Sequence, residues 1–178
     1  MAGHIWRGAE RSRRDAGIMN ILDFLTADHE RILKELHGLK HHLHDSDAMG
    51  RLKKFGIHFA LHQSIEEDIL MESVGPRLAS SEGAEAVAMN GDSDQRFDRE
   101  FERFLDVLNG RSVSECRAAF LAFSDFVTAR MKEKEKVLFP RIRESVDHEM
   151  LNALGLRAEQ YYYSMDKSRD AIARGESA

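Results

Sequence analysis

Ile21-Leu-Asp-Phe-Leu25-Thr-Ala-Asp-His29-Glu-Arg-Ile32-Leu-Lys-Glu-Leu36-His-Gly-Leu39-Lys-His-His-Leu43-His44 is the stretch on which the fold turns. Leu22, Leu25, His29, Ile32, Leu36, Leu39 and Leu43 recur at alternating spacings of three and four. That spacing puts them on one face of an α-helix. The pattern returns as Leu52, Phe55, Phe59, His62, Glu66 and Ile69, then as Asp94, Asp98, Phe101, Leu105 and Leu108. It returns again as Phe120, Phe123, Val127, Arg130, Lys134 and Val137. Four amphipathic helices on mostly short links predict an all-α, antiparallel up-down four-helix bundle.

The punctuation sets the boundaries. Asn20 is placed to cap the first helix, with Asp23 in a capping-box-like position. The first helix runs over Ile21 to His44, and Asp45-Ser-Asp47 is a turn. A second helix from Ala48 to Ser73 is expected to stop at the breaker pair Gly75-Pro76. Arg77 to Ser93 is ambiguous. A third helix ends at Asn109-Gly110. Ser112-Val-Ser-Glu115 is a capping box for a fourth helix, which continues to about Phe139, where Pro140 kinks or ends it. A fifth helix spans Asp147 to Arg174. Residues 1–19 form an arm, residues 20–145 the bundle, and residues 146–178 the last helix and tail.

Composition agrees. Alanine and leucine number 36 of the 178 residues, against 18 for valine, isoleucine and threonine, which favours helix over sheet. Hydrophobic residues make up 42%, enough for a folded core. The net charge of −5 speaks against nucleic-acid binding, which needs a basic surplus. No apolar run approaches the length of a membrane span. The N-terminus has arginines but no apolar stretch of the secretory kind. Cys116 is the lone cysteine, so no intramolecular disulfide forms, and a cytoplasmic setting is the expectation.

The stripes should be apolar throughout, yet each is interrupted. His29 interrupts the first, and His62 and Glu66 the second, with His58 a turn earlier. Asp94 and Asp98 interrupt the third, and Arg130 and Lys134 the fourth. Laid antiparallel, these positions share one layer. A His-x-x-x-Glu pair at i, i+4 aims imidazole and carboxylate at one point, a geometry for a metal ion inside a bundle. Alone the pair is a weak signal, and a buried histidine is commonly just a hydrogen-bonded core residue. Intrusions on all four stripes strengthen it.

These residues carry a resemblance. Leu25-Thr-Ala-Asp-His29-Glu-Arg-Ile32, Phe59-Ala-Leu-His62-Gln-Ser-Ile-Glu66-Glu67-Asp-Ile-Leu70, and Val137-Leu-Phe-Pro140 followed by Leu151-Asn-Ala-Leu-Gly155 resemble the hemerythrin-like HHE cation-binding family. The similarity covers residues 20 to 160. It implies a non-haem di-iron bundle that binds oxygen, nitric oxide or iron, with His29, His62 and Glu66 as ligands. The other half departs from the family pattern. Asp98 and Asp94 stand at helix-three histidine positions, Arg130 at a helix-four histidine and Lys134 at the following carboxylate.

Arginine stays protonated and cannot ligate a metal, and lysine is protonated unless strongly perturbed. A di-iron centre is therefore not expected. At most one ion (Fe, Zn or Mn) is expected, on His29, His62, Glu66 and Asp98. The alternative is a metal-free core, a structural or regulatory interaction module. Its charges would close on themselves, Lys134 toward Glu66 and Arg130 toward Asp98 or Asp94. No enzymatic activity is expected, because redox catalysis needs both metals or an open position.

Other features are weaker. His58 is a secondary ligand candidate, and His58 or His37 would serve in a minor haem alternative. His37, His41 and His44 line a helix flank that is read as solvated. The charged run 130–136 reads as a solvent face apart from Arg130 and Lys134. The arm and Tyr161-Tyr-Tyr163 are the places for a protein partner or a second copy of the chain, with one ring packed on the bundle.

Overall fold

The computed structural model describes residues 19–43, 45–79, 99–104 and 113–173. Helix α1 spans Ile21–His42. Asn20 caps it: its side-chain oxygen accepts from the amides of Leu22 and Asp23 (3.0 and 3.1 Å), and its amide nitrogen donates to Asp23 Oδ2 (2.6 Å). Helix α2 runs through Ala48–Ser64, a π-helical stretch Ile65–Met71 and a last segment Glu72–Ala79. Helix α3 is described over 99–104. Helix α4 comprises Val113–Glu133, a second π-helical stretch Lys134–Leu138, and Phe139–Ser145. Helix α5 spans His148–Ala173. All regular structure among the described residues is helical.

The breaker pair Gly75-Pro76 does not end the second helix. Helix α2 continues through Gly75-Pro76 to Ala79. Proline inside a helix costs about 3 kcal/mol. Val74 and Leu78, both fully buried, flank it, and each contributes about 1.5–3 kcal/mol by leaving water. The burial outweighs the break. In the same way α4 runs through Pro140 to Ser145.

The core divides into two apolar clusters. One gathers Ile21, Leu25, Ile65, Leu70, Val74, Leu138, Phe139 and Ile142 under Leu151, Leu154 and Ala158 of α5. The other gathers Ile32, Leu36, Leu52, Phe55, Phe59, Phe104, Phe120, Phe123 and Val127. Phe104 and Phe123 stack at 4.8 Å with their planes 3° apart. Every position on the expected α1 and α2 stripes is buried. On α4 the stripe shifts: Val137 is 40% exposed, and Leu138 points inward instead. The π-helical stretch adds a residue to the turn, which rotates everything after Lys134 by one position.

Helix α5 packs on α1 and on the π-helical stretch of α2. Its Gly155 is buried against the start of α1. A β-carbon there would lie 2.1 Å from the Met19 carbonyl oxygen. Gly155→Ala is expected to cost about 1–3 kcal/mol through forced separation of the two backbones. Thermal unfolding checks this, and an unchanged midpoint counts against the close seat. Tyr161, Tyr162 and Tyr163 are all partly buried, in keeping with the expectation that a ring of this run packs on the bundle. Tyr161 and Tyr162 pack on the α5-side cluster. No described helix is long and apolar enough to cross a membrane.

Candidate functional site

A polar layer separates the two apolar clusters. Helix α1 brings in Asp28 and His29, α2 brings His58, His62 and Glu66, and α4 brings Arg130 and Lys134. All seven side chains are buried. Both π-helical stretches open at this layer, one just before Glu66 and the other at Lys134. Such turns re-aim side chains where a regular helix would carry them past one another, and they recur at functional sites.

His29, His62, Glu66, Arg130 and Lys134 line one cavity of about 10 Å³, together with Phe59, Val127 and Met131. That is room for about one water molecule or one ion. Lys134 Nζ lies 2.7 Å from Glu66 Oε2. His62 Nε2 lies 3.8 Å from the same oxygen. The rings of His29 and His62 are 5.0 Å apart at their centroids. Arg130 reaches Glu133 on its own helix at 3.3 Å. Asp94 and Asp98 lie outside the described residues.

Carboxylates hold the far side of each imidazole. Glu135 Oε1 is 2.7 Å from His29 Nδ1. Asp28 Oδ2 is 2.9 Å from His62 Nδ1, and Oδ1 is 3.2 Å from His58 Nε2 and 3.0 Å from Arg31. Glu35 Oε2 is 3.0 Å from His58 Nδ1.

These contacts decide the charges. Burial pushes the Asp28 carboxyl up, but hydrogen bonds from His58 and His62, with the charge of His58, hold it well below the usual carboxylate range. Burial also disfavours charge on His58, yet the bonds to Asp28 and Glu35 win and raise it to about 9. Burial, seconded by His62, lowers His29 to about 4 against the pull of Glu66 and Glu135. Burial works to neutralise Glu66, and the charge of Lys134 reverses that and keeps it ionised.

His58 therefore differs from its sequence-based expectation. Both of its ring nitrogens face carboxylates, so it is a cation with no lone pair to give to a metal or a haem. His37 and His41 meet edge to face at 4.6 Å on the exposed flank. His44 lies outside the described residues.

Asp28, Glu35 and Glu135 were not singled out by the stripe pattern. Asp28 precedes His29 and sits on the edge of the α1 stripe, three residues after Leu25 and four before Ile32. That spacing was a usable signal for a buried carboxylate. Glu135 belongs to the charged run that reads as a solvent face, and at 36% exposure it is only half out of the site. Nothing in the local sequence marks it, because its reach to His29 depends on the π-helical stretch.

The donor atoms themselves bear on a metal. His29 Nε2 and Glu66 Oε1 are buried with no hydrogen-bond partner among the described residues. Buried polar atoms are ordinarily satisfied, so these two await a partner. Two imidazoles and a carboxylate suit Fe(II), Zn(II) or Mn(II). As placed, no three His, Cys, Asp or Glu side chains among the described residues already form a group able to hold an ion. Lys134 already places one positive charge against Glu66.

The Hemerythrin HHE cation binding domain matches the chain over residues 20–142. No curated protein and no solved structure matches it.

Proposed function

The chain belongs to the Hemerythrin HHE cation binding domain family, and from that premise we propose that it binds one transition-metal ion in its core rather than two. His29 Nε2, His62 Nε2 and Glu66 would hold the ion, with Asp98 as a further carboxylate. The observation that carries this reading is His29 Nε2, buried and without a partner while Nδ1 of the same ring is engaged by Glu135. Lys134 stands in the place of a second ion. A unit charge so close to Glu66 repels further cations in a medium of low dielectric. When bound, the ion supplies a Lewis-acidic centre, redox-capable where it is iron or manganese, for oxygen, nitric oxide or another small ligand, and the role is binding or sensing rather than catalysis.

The chain's own residues do the rest. Glu66 carries negative charge to the cavity, Phe59, Val127 and Met131 limit its size, and Lys134 offsets the buried carboxylate. The Lys134–Glu66 pair also favours a second reading, in which the core stays metal-free and the bundle is a structural or regulatory interaction module.

Elemental analysis of untagged protein, before and after anaerobic loading with Fe(II), separates the readings. About one equivalent is expected in the wild type, with His62→Ala falling to background. Two equivalents in the wild type would overturn the role given to Lys134. Metal no higher than in His62→Ala would favour the metal-free module.

A further inference from the structure

We infer that Asp28 and Glu135 are positioning residues that hold His62 and His29 in the ring tautomer with the proton on Nδ1, leaving Nε2 bare toward the cavity. The first step is elementary. A neutral imidazole carries one N–H and one lone pair, and an ionised carboxylate only accepts. Glu135 Oε1 at 2.7 Å from His29 Nδ1 and Asp28 Oδ2 at 2.9 Å from His62 Nδ1 both require the N–H at Nδ1. The second nitrogen of each ring is then an acceptor.

The carboxylates are themselves held. Asp28 divides its oxygens: Oδ1 takes His58 and Arg31, and Oδ2 is left for His62. His58 is tied outward to Glu35, and Arg31 outward to the hydroxyl of Tyr162 on α5 at 3.3 Å. Arg31 also lies over the Tyr162 ring, 5.8 Å from its centroid. Helix α5 thus braces the orientation of His62 through Arg31 and Asp28. On the other side, the His29 ring stacks on Phe139 at 5.6 Å, which leaves Glu135 to choose between its nitrogens. Partners of this kind fix the orientation and basicity of metal-binding histidines.

The tautomers are read directly by long-range proton–nitrogen NMR on metal-free, histidine-labelled protein. The wild type is expected to show the Nδ1–H form at both His29 and His62. Asp28→Asn keeps the side-chain shape. Its amide oxygen must face the donors His58 and Arg31, so its NH₂ faces His62 Nδ1 and drives that ring to the Nε2–H form. Glu135→Ala, at a half-exposed position where folding is secure, is expected to release His29 from the Nδ1–H form and leave His62 unchanged. An Nε2–H form at either ring in the wild type overturns the inference. So does an unaltered His29 tautomer in Glu135→Ala.

A second readout rests on the one-metal proposal. Glu135→Ala is expected to weaken Fe(II) binding about 10–100-fold, and unchanged affinity would overturn the positioning role. Because the NMR uses no metal, the two failures are distinct. Wild-type protein with the stated tautomers and no bound metal upholds the inference and rejects the proposed function.

Discussion

Lys134→Ala is expected to destabilise the folded protein by about 3–5 kcal/mol, the usual cost of stranding one member of a buried ion pair. Glu66 is 2% exposed and Lys134 5%, so water cannot replace either partner. With the ammonium gone, Glu66 loses its close cationic partner and is left with His62 Nε2 at 3.8 Å. Urea denaturation of metal-free protein measures the loss. The pair itself adds little net stability, since its attraction is largely offset by the desolvation of two charges. A double replacement, Glu66→Leu with Lys134→Met, removes both charges and is expected to recover most of the stability lost by the single variant. A Lys134→Ala protein that unfolds at the wild-type midpoint would show that the two groups do not meet in the core.

Stability of the metal-free protein is expected to peak near pH 6.5 and to fall on both sides. His58 is raised to about 9 by carboxylates on α1, Asp28 and Glu35, with Arg31 and the Tyr162 ring of α5 alongside. The folded form holds that proton more tightly than the unfolded chain, whose histidines titrate near pH 6.5. Its contribution is complete below pH 6.5 and is lost as pH rises through 9. His29 is lowered to about 4, among His62, Glu66 and Glu135. Here the unfolded chain binds the proton more readily, so stability is lost as pH falls from 6.5 toward 4. Each limb amounts to about 3 kcal/mol at most, at 1.36 kcal/mol per pH unit. Denaturation midpoints from pH 4 to 9.5 check the shape. His58→Gln is expected to flatten the alkaline limb and spare the acid one, and an alkaline limb that survives the substitution would contradict the assignment.

How much of this was written in the chain differs from residue to residue. His29, His62, Glu66, Arg130 and Lys134 announce themselves because a polar side chain on an apolar stripe is conspicuous at helical spacing, and the fold needs no more than that spacing. Asp28 is half visible, on the edge of a stripe. Glu135 is invisible, hidden in a run of alternating charges where every residue looks solvated. Val137 misleads, because a regular period carries it inward and the π-helical stretch carries it out.

Pro76 misleads for another reason. Local propensity argues for a stop, and only the burial of Val74 and Leu78 shows why the helix goes on. The sequence by itself determined the all-helical bundle, its cap at Asn20 and the layer at which polar groups enter the core, since these follow from periodicity and burial. Tertiary structure alone decided where the π-helical stretches fall, which carboxylate faces which ring nitrogen, and that His58 is a locked cation rather than a ligand. Those are matters of ångströms between helices far apart in the chain, and no spacing along one helix encodes them.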